Sequence, residues 1–251
     1  MSRIFIFLTI LLWVTSLHGV SLSEQRIVFE GAKRSHSMRL LNNGPEPIVY
    51  RIALRAAAMQ EDGRIEFYER DHQPEHSAGE LIKFSPRKGA LASGQSQVVR
   101  FKLKKYPDLA KGEYYSFVRV LTRPATEGDS GAPQFSKQMA YNIPVFVRQG
   151  NLREGAGLVM DQAVITQNKQ GQWQLGLRLQ RQGGRSIYGE FDVSSGGQSL
   201  AFVKGISVYP NINQRYLTLP LSGEPEGDVS VSFVEHGISG NLETQLKVPY
   251  R

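Results

Sequence analysis

The stretch Phe135-Ser136-Lys137-Gln138-Met139-Ala140-Tyr141-Asn142-Ile143-Pro144-Val145-Phe146-Val147-Arg148 decides the fold class. Its odd positions carry Phe135, Lys137, Met139, Tyr141, Ile143, Val145 and Val147. Its even positions are mostly small or polar, with Phe146 the exception. A period of two places one set of side chains on each face of a β-strand, whereas a helix would need a period near 3.6. Fourteen residues in extended conformation span about 46 Å, more than a usual strand. One end is therefore expected to overhang its sandwich as an edge, an aggregation liability unless a partner uses it. The competing reading is the ordinary core face of a long strand. Pro144 has no N–H to give to a ladder, so pairing should break there or the strand should lie at an edge.

The same period recurs outward in both directions. Upstream, Arg26 heads Ile27-Val28-Phe29, and residues 36–42 alternate with Met38 and Leu40 on one face. Asn42-Asn43-Gly44-Pro45 is a turn, and residues 48–54 then send Ile48, Tyr50, Ile52 and Leu54 inward. Residues 81–85 form a short strand before Pro86. Residues 97–103 put Val99, Phe101 and Leu103 on one face, and residues 114–122 are apolar on both, as in a central strand. The Ala-containing stretch 54–60 competes for helix and is read as a strand end running into a loop. About seven strands at this spacing predict an immunoglobulin-like sandwich. The glycine-rich run 149–157 reads as a linker, and seven further strands beyond it predict a second sandwich. The expected fold class is all-β, with two tandem immunoglobulin-like β-sandwiches forming a cleft, over residues 20–149 and 150–251.

Residues 1–19 read as a secretory signal peptide: a basic start at Arg3, an apolar run over residues 4–14, then Ser16 and Gly19 as small residues. The apolar run spans only about 16 Å as a helix, against a bilayer core of about 30 Å. Cleavage rather than anchoring is expected. The chain has no cysteine, which excludes disulfides, thiolate catalysis and Cys-based zinc sites. The net charge of +7 is consistent with a solvated basic surface, and export argues against nucleic acid as partner.

No catalytic motif is present. His72 and His76 stand four apart, but in a Pro- and Glu-containing loop without a third ligand at a defined spacing. Asp161, Asp192 and Asp228 are scattered. Neither a cofactor nor an enzymatic activity is expected. Two arginines attract attention as binding groups. Arg119 lies in the otherwise apolar Phe117-Val118-Arg119-Val120-Leu121, where it needs an acidic partner or a wet cleft. Arg26 is either a surface arginine or, like Arg119, a bidentate carboxylate ligand.

The chain resembles the periplasmic chaperones of the chaperone–usher pilus pathway, the PapD-like proteins. Arg26-Ile27-Val28-Phe29-Glu30-Gly31 is similar to the family's first strand, and Leu40-Leu41-Asn42-Asn43 with Pro47 to its second strand and turn. Phe84-Ser85-Pro86 followed by Leu91 to Arg100, Gly112 to Phe117, and Ile143 to Arg148 resemble later stretches of its first domain. The resemblance implies a chaperone of pilin-like subunits. It would lend the last strand of its first domain to an incomplete subunit fold and pass the subunit to an outer-membrane usher. It implies Phe135, Met139, Tyr141 and Ile143 as plugging residues and Arg26 as one anchor of the subunit's C-terminal carboxylate. The family's usual anchoring lysine aligns with Pro144, which leaves Arg119 or Lys137 as the substitute. The competing expectation is a structural or adhesive surface protein with residues 135–148 fully internal.

Overall fold

The structure is a computed structural model that describes residues 19–69, 72, 74–125, 138–235 and 242–250. Among these residues there is no α-helix, and eighteen strands form two immunoglobulin-like sandwiches and a separate hairpin. In the first sandwich, β1 (Val20–Leu22), β3 (Ser35–Asn42), β9 (Ser96–Leu103) and β7 (Ile82–Ser85) make one sheet in the order β1-β3-β9-β7. The facing sheet has the order β2-β11-β10-β4-β8. Its strands are β2 (Ile27–Phe29), β11 (Met139–Gln149), β10 (Gly112–Pro124), β4 (Ile48–Arg55) and β8 (Lys88–Leu91). Met38, Leu40, Val99 and Phe101 from one sheet meet Ile52, Val118, Val120, Val145 and Val147 from the other. Burial of each such side chain stabilises the fold by about 1.5–3 kcal/mol.

The second sandwich stacks the sheet β12-β13-β16 on the sheet β15-β14-β17-β18. The three-stranded sheet comprises β12 (Gly157–Gln167), β13 (Trp173–Gln182) and β16 (Gln214–Pro220). The other comprises β14 (Ile187–Ser195), β15 (Gln198–Val208), β17 (Val229–Glu235) and β18 (Leu242–Val248). Its core is built on Leu175, Leu179, Phe191, Val193, Val229 and Phe233. Gly189 in β14 is required by close packing, because a Cβ there would run into the Val234 carbonyl and the Phe233 ring.

Two local expectations change. Residues 54–60 do not fade into a loop. After Arg55 the chain forms β5 (Ala57–Met59), which pairs with β6 (Ile65–Phe67) as the separate hairpin. Buried Ala57 and Met59 favour extended packing over helix because their side chains face an apolar layer against the second sandwich. The expected linker is also shorter. Gln149 closes β11 and Gly157 opens β12, and Leu152 between them is buried.

Candidate functional site

β10 and β11 pair antiparallel without a register shift from Gly112↔Gln149 to Thr122↔Met139. Phe117 stands opposite Pro144. Proline has no N–H, so this pair must be of the non-hydrogen-bonded kind, with Pro144's nitrogen turned away from β10. Alternation then turns the N–H and C=O of Ala140 and Asn142 away from β10 as well. On that far side β2 pairs in parallel only with Val145, Phe146 and Val147. Residues 139–144 therefore form an open strand edge among the described residues. Pro144 sits at this edge, one of the two outcomes its chemistry allowed.

The side chains along the edge differ. Met139 is 39% exposed, and Ala140 and Asn142 are exposed too. Tyr141 is half-buried against the first core, and its hydroxyl accepts from Val20 N at 3.3 Å. Beside Met139 lies a hollow of about 260 Å³, lined among others by Val20, Pro45, Ile48 and Pro124. Ile143, expected among the plugging residues, is only 4% exposed and belongs to the chain's own first core. The alternation that marked it was the core face at that point of the strand. Phe135 and Lys137 lie outside the described residues.

The other face of β10 and β11 meets the second sandwich. Tyr115, Phe117 and Phe146 pack around Tyr209, with ring centroids 5.3, 6.1 and 5.2 Å away. These separations suit edge-to-face and tilted aromatic packing. Burial pushes the Tyr209 phenol up to about 12. The hairpin β5–β6 closes the same junction. Asn211 donates to the Met59 carbonyl at 2.9 Å and accepts from Tyr115 Oη at 2.8 Å. Tyr216 N donates to the Glu61 carbonyl at 2.7 Å.

A polar chain also crosses the junction. Glu113 and Arg148 are direct cross-strand neighbours, and their side chains are 0% and 7% exposed. Arg148 Nε donates to Glu113 Oε1 at 2.8 Å and Nη1 to Glu30 Oε2 at 3.0 Å. Glu30 Oε1 accepts from Arg153 at 3.2 Å. From the second sandwich, Ser186 N donates a short bond to Glu113 Oε2 and Ser186 Oγ donates to Oε1 at 3.0 Å. Ser186 Oγ in turn accepts from Arg26 Nη2 at 2.7 Å. Burial alone would lower the Arg148 pKa, but the carboxylates of Glu113 and Glu30 outweigh it and hold the guanidinium charged, with its pKa raised.

Arg26 is half-buried at this junction. Its guanidinium stacks 3.8 Å over Phe146 and 4.8 Å from Tyr188, and Nη1 is buried without a partner among the described residues. Burial pushes its pKa down to about 10, partly offset by Glu113. Side chains of both sandwiches thus flank the Arg26 guanidinium, and the first-strand sequence carries no trace of Ser186 or Tyr188. Arg26→Met is expected to keep the stem packing and to change stability by less than about 1 kcal/mol, since an apolar isostere relieves the buried charge. Thermal melts check this, and a loss above about 3 kcal/mol would show that the charge itself holds the junction.

Arg119 lies on the same face as Phe117, opposite Asn142 and Ala53. Its guanidinium is 5.6 Å over Phe67, and its Nε is buried without a partner among the described residues. Arg26 and Arg119 both lie against aromatic rings at this junction, Arg26 over Phe146 and Arg119 over Phe67. The residues that sequence reasoning missed are Glu113, Arg148 and Ser186. A signal existed for the first two: a glutamate opens one apolar strand and an arginine closes the next, and the register of the hairpin makes them neighbours. Among the described residues no group of His, Asp and Glu could hold a metal ion, and no helix is long and apolar enough to cross a membrane.

The fold is that of the two-domain PapD-like chaperones. No protein-family model matches the chain, and no curated protein matches it in sequence. Among solved structures, the chain is similar to the YadV chaperone, with a TM-score of 0.54 at 15% identity over 91% of this chain and 99% of that one. It is also similar to a chain of the CsuC–CsuE chaperone–tip adhesion subunit pre-assembly complex, from archaic chaperone-usher Csu pili of Acinetobacter baumannii. There the TM-score is 0.51 at 15% identity, over 91% and 97% of the two chains. A third is the Salmonella enterica SafA pilin in complex with the SafB chaperone, with a TM-score of 0.50 at 15% identity over 94% and 98%.

Proposed function

We propose that this chain is a periplasmic chaperone of pilin-like subunits, exported by residues 1–19 and built of domains 20–149 and 150–251. It binds rather than catalyses. The open edge over residues 139–144 carries the reading: exposed N–H and C=O groups of Ala140 and Asn142, with Met139 beside an apolar hollow. An edge of this kind takes up an additional strand, with backbone hydrogen bonds for affinity and side-chain pockets for register. In this role β11 lends its edge to an incomplete subunit sheet, and Phe135, Met139 and Tyr141 enter the subunit's groove. The subunit's C-terminal carboxylate falls to Arg119, since Pro144 replaces a basic residue and Arg26 already donates to Ser186. Lys137, the other basic candidate, lies outside the described residues. Delivery to an outer-membrane usher completes the role. The likeness in fold and the sequence resemblance support this reading together.

The test is co-expression with the pilin-like subunit encoded beside it. Met139→Glu is expected to lower subunit recovery at least tenfold, because a buried unpaired carboxylate costs well over the ~1.4 kcal/mol that a factor of ten requires. Unchanged recovery would sink strand donation and favour an immunoglobulin-like protein of purely structural or adhesive role.

A further inference from the structure

Two further open edges lie in the first sandwich among the described residues, on the β4 and β7 sides. β8 covers only residues 48–51 of β4. Ile52 N donates to the Arg87 carbonyl at 2.7 Å, so Ile52 faces the β8 side, and alternation turns the N–H and C=O of Leu54 the same way. β7 is an edge strand paired only with β9 among the described residues. Lys104 N donates to the Leu81 carbonyl at 2.8 Å, so residues 81, 83 and 85 address β9, and Ile82 and Phe84 turn their backbone groups outward. The two edges flank one slot of about 690 Å³.

The slot is strongly basic. Lys83, Arg87, Arg100, Lys102 and Lys104 line it, with Glu80 as its one carboxylate among the described residues. Glu80 is 3.8 Å from Lys104, on an 80% exposed side chain. Among the described residues no carboxylate pairs with Lys83, Arg87, Arg100 or Lys102. Lys83 and Lys102 are direct cross-strand neighbours, an arrangement that costs stability when nothing neutralises it. The buried Arg148 of the same sandwich, by contrast, has carboxylates built around it.

We propose that this slot binds an extended, acidic segment of a partner protein, which adds to the β7 edge and sets its carboxylates against Lys83, Arg100 and Lys102. The charge specifies an anion. The outward N–H and C=O groups of Ile82 and Phe84 specify a peptide backbone, since a lipid headgroup leaves them unused. The slot is separate from the β11 edge, so the inference stands or falls independently of the chaperone reading.

The test uses the full chain and a fluorescent octapeptide of alternating Glu and Val, read by anisotropy at low salt. Binding is expected, at least tenfold weaker for the Gln-Val counterpart and for a backbone N-methylated Glu-Val peptide, and weaker as salt screens the charges. The double variant Arg100→Glu, Lys102→Glu is expected to lose at least tenfold in affinity while keeping its melting temperature, because the new carboxylate at position 102 faces Lys83. Equal binding of the Gln-Val or N-methylated peptide would overturn the proposal. So would unchanged binding by the double variant, or binding only to phosphatidylglycerol vesicles with no peptide bound.

Discussion

Glu113→Ala is expected to lower stability by about 3–5 kcal/mol, the cost of leaving a buried charge without its partner. The Glu113 carboxylate is fully buried and receives Arg148 Nε, Ser186 N and Ser186 Oγ. Alanine strips all three bonds at once. Arg148, 7% exposed, keeps its pairing with Glu30 but loses the carboxylate directly across the ladder, and Ser186 N loses its acceptor at the junction between the sandwiches. Glu113→Gln keeps the shape and one acceptor oxygen and is expected to cost less than alanine. Replacing both partners, as Glu113→Leu with Arg148→Met, is expected to recover only part of the loss, because it removes the unpaired Arg148 charge while Ser186 N still lacks its acceptor. Urea denaturation of the wild type and the three variants checks the series. A loss below about 1 kcal/mol for Glu113→Ala would mean that the network is a by-product of packing, as exposed ion pairs are.

The Glu113–Ser186 contact also marks where sequence reading stops. Period-two alternation assigns faces, and it did so well where both faces have simple environments. Val99 and Phe101 are core, and Ile48, Tyr50 and Ile52 point inward as their spacing implied. Beyond the linker the described residues form the seven strands that the alternation implied, β12 to β18. Alternation says nothing about which distant element covers a face. The apolar outer face of β10 was legible as apolar, yet Tyr209, which covers it, lies about ninety residues away in sequence. Arg26 shows the same limit. Its neighbours Phe146 and Tyr188 come from β11 and β14, and neither is announced by the sequence around Arg26. The hairpin β5–β6 is illegible for a different reason: residues 54–60 read as a strand end running into a loop, and only packing against Tyr209 and Phe117 shows that Ala57 and Met59 continue as a strand. The basic slot is illegible in the sequence because Lys83, Arg100 and Lys102 each read as ordinary outward residues. Only the register of β7 against β9 sets them side by side.

Asn142→Pro is expected to abolish subunit capture while leaving the free protein folded. The register places Asn142 opposite Arg119, with its N–H and C=O on the open side of β11. A proline there removes one donor from the free edge and none from the ladder to β10, as Pro144 already does two residues further on. The residue before it, Tyr141, is already extended, the conformation that a following proline favours. The expected cost to the free chain is therefore about 1 kcal/mol or less in thermal melts. A subunit strand laid along residues 139–144 of this variant meets two prolines in succession, the introduced one and the native Pro144. The loss of the donor leaves a buried carbonyl on the subunit side unpaired. At about 1–3 kcal/mol for such an orphan, added to the steric bulk of the ring, subunit recovery should fall by a factor of ten or more. The companion substitution Tyr141→Pro separates the edge from the strand itself. Tyr141 addresses β10, so proline there should break the internal ladder and lower the melting temperature sharply. If Asn142→Pro retains the subunit at wild-type levels, the partner does not add to this edge, and the hollow beside Met139 has to be read as packing alone.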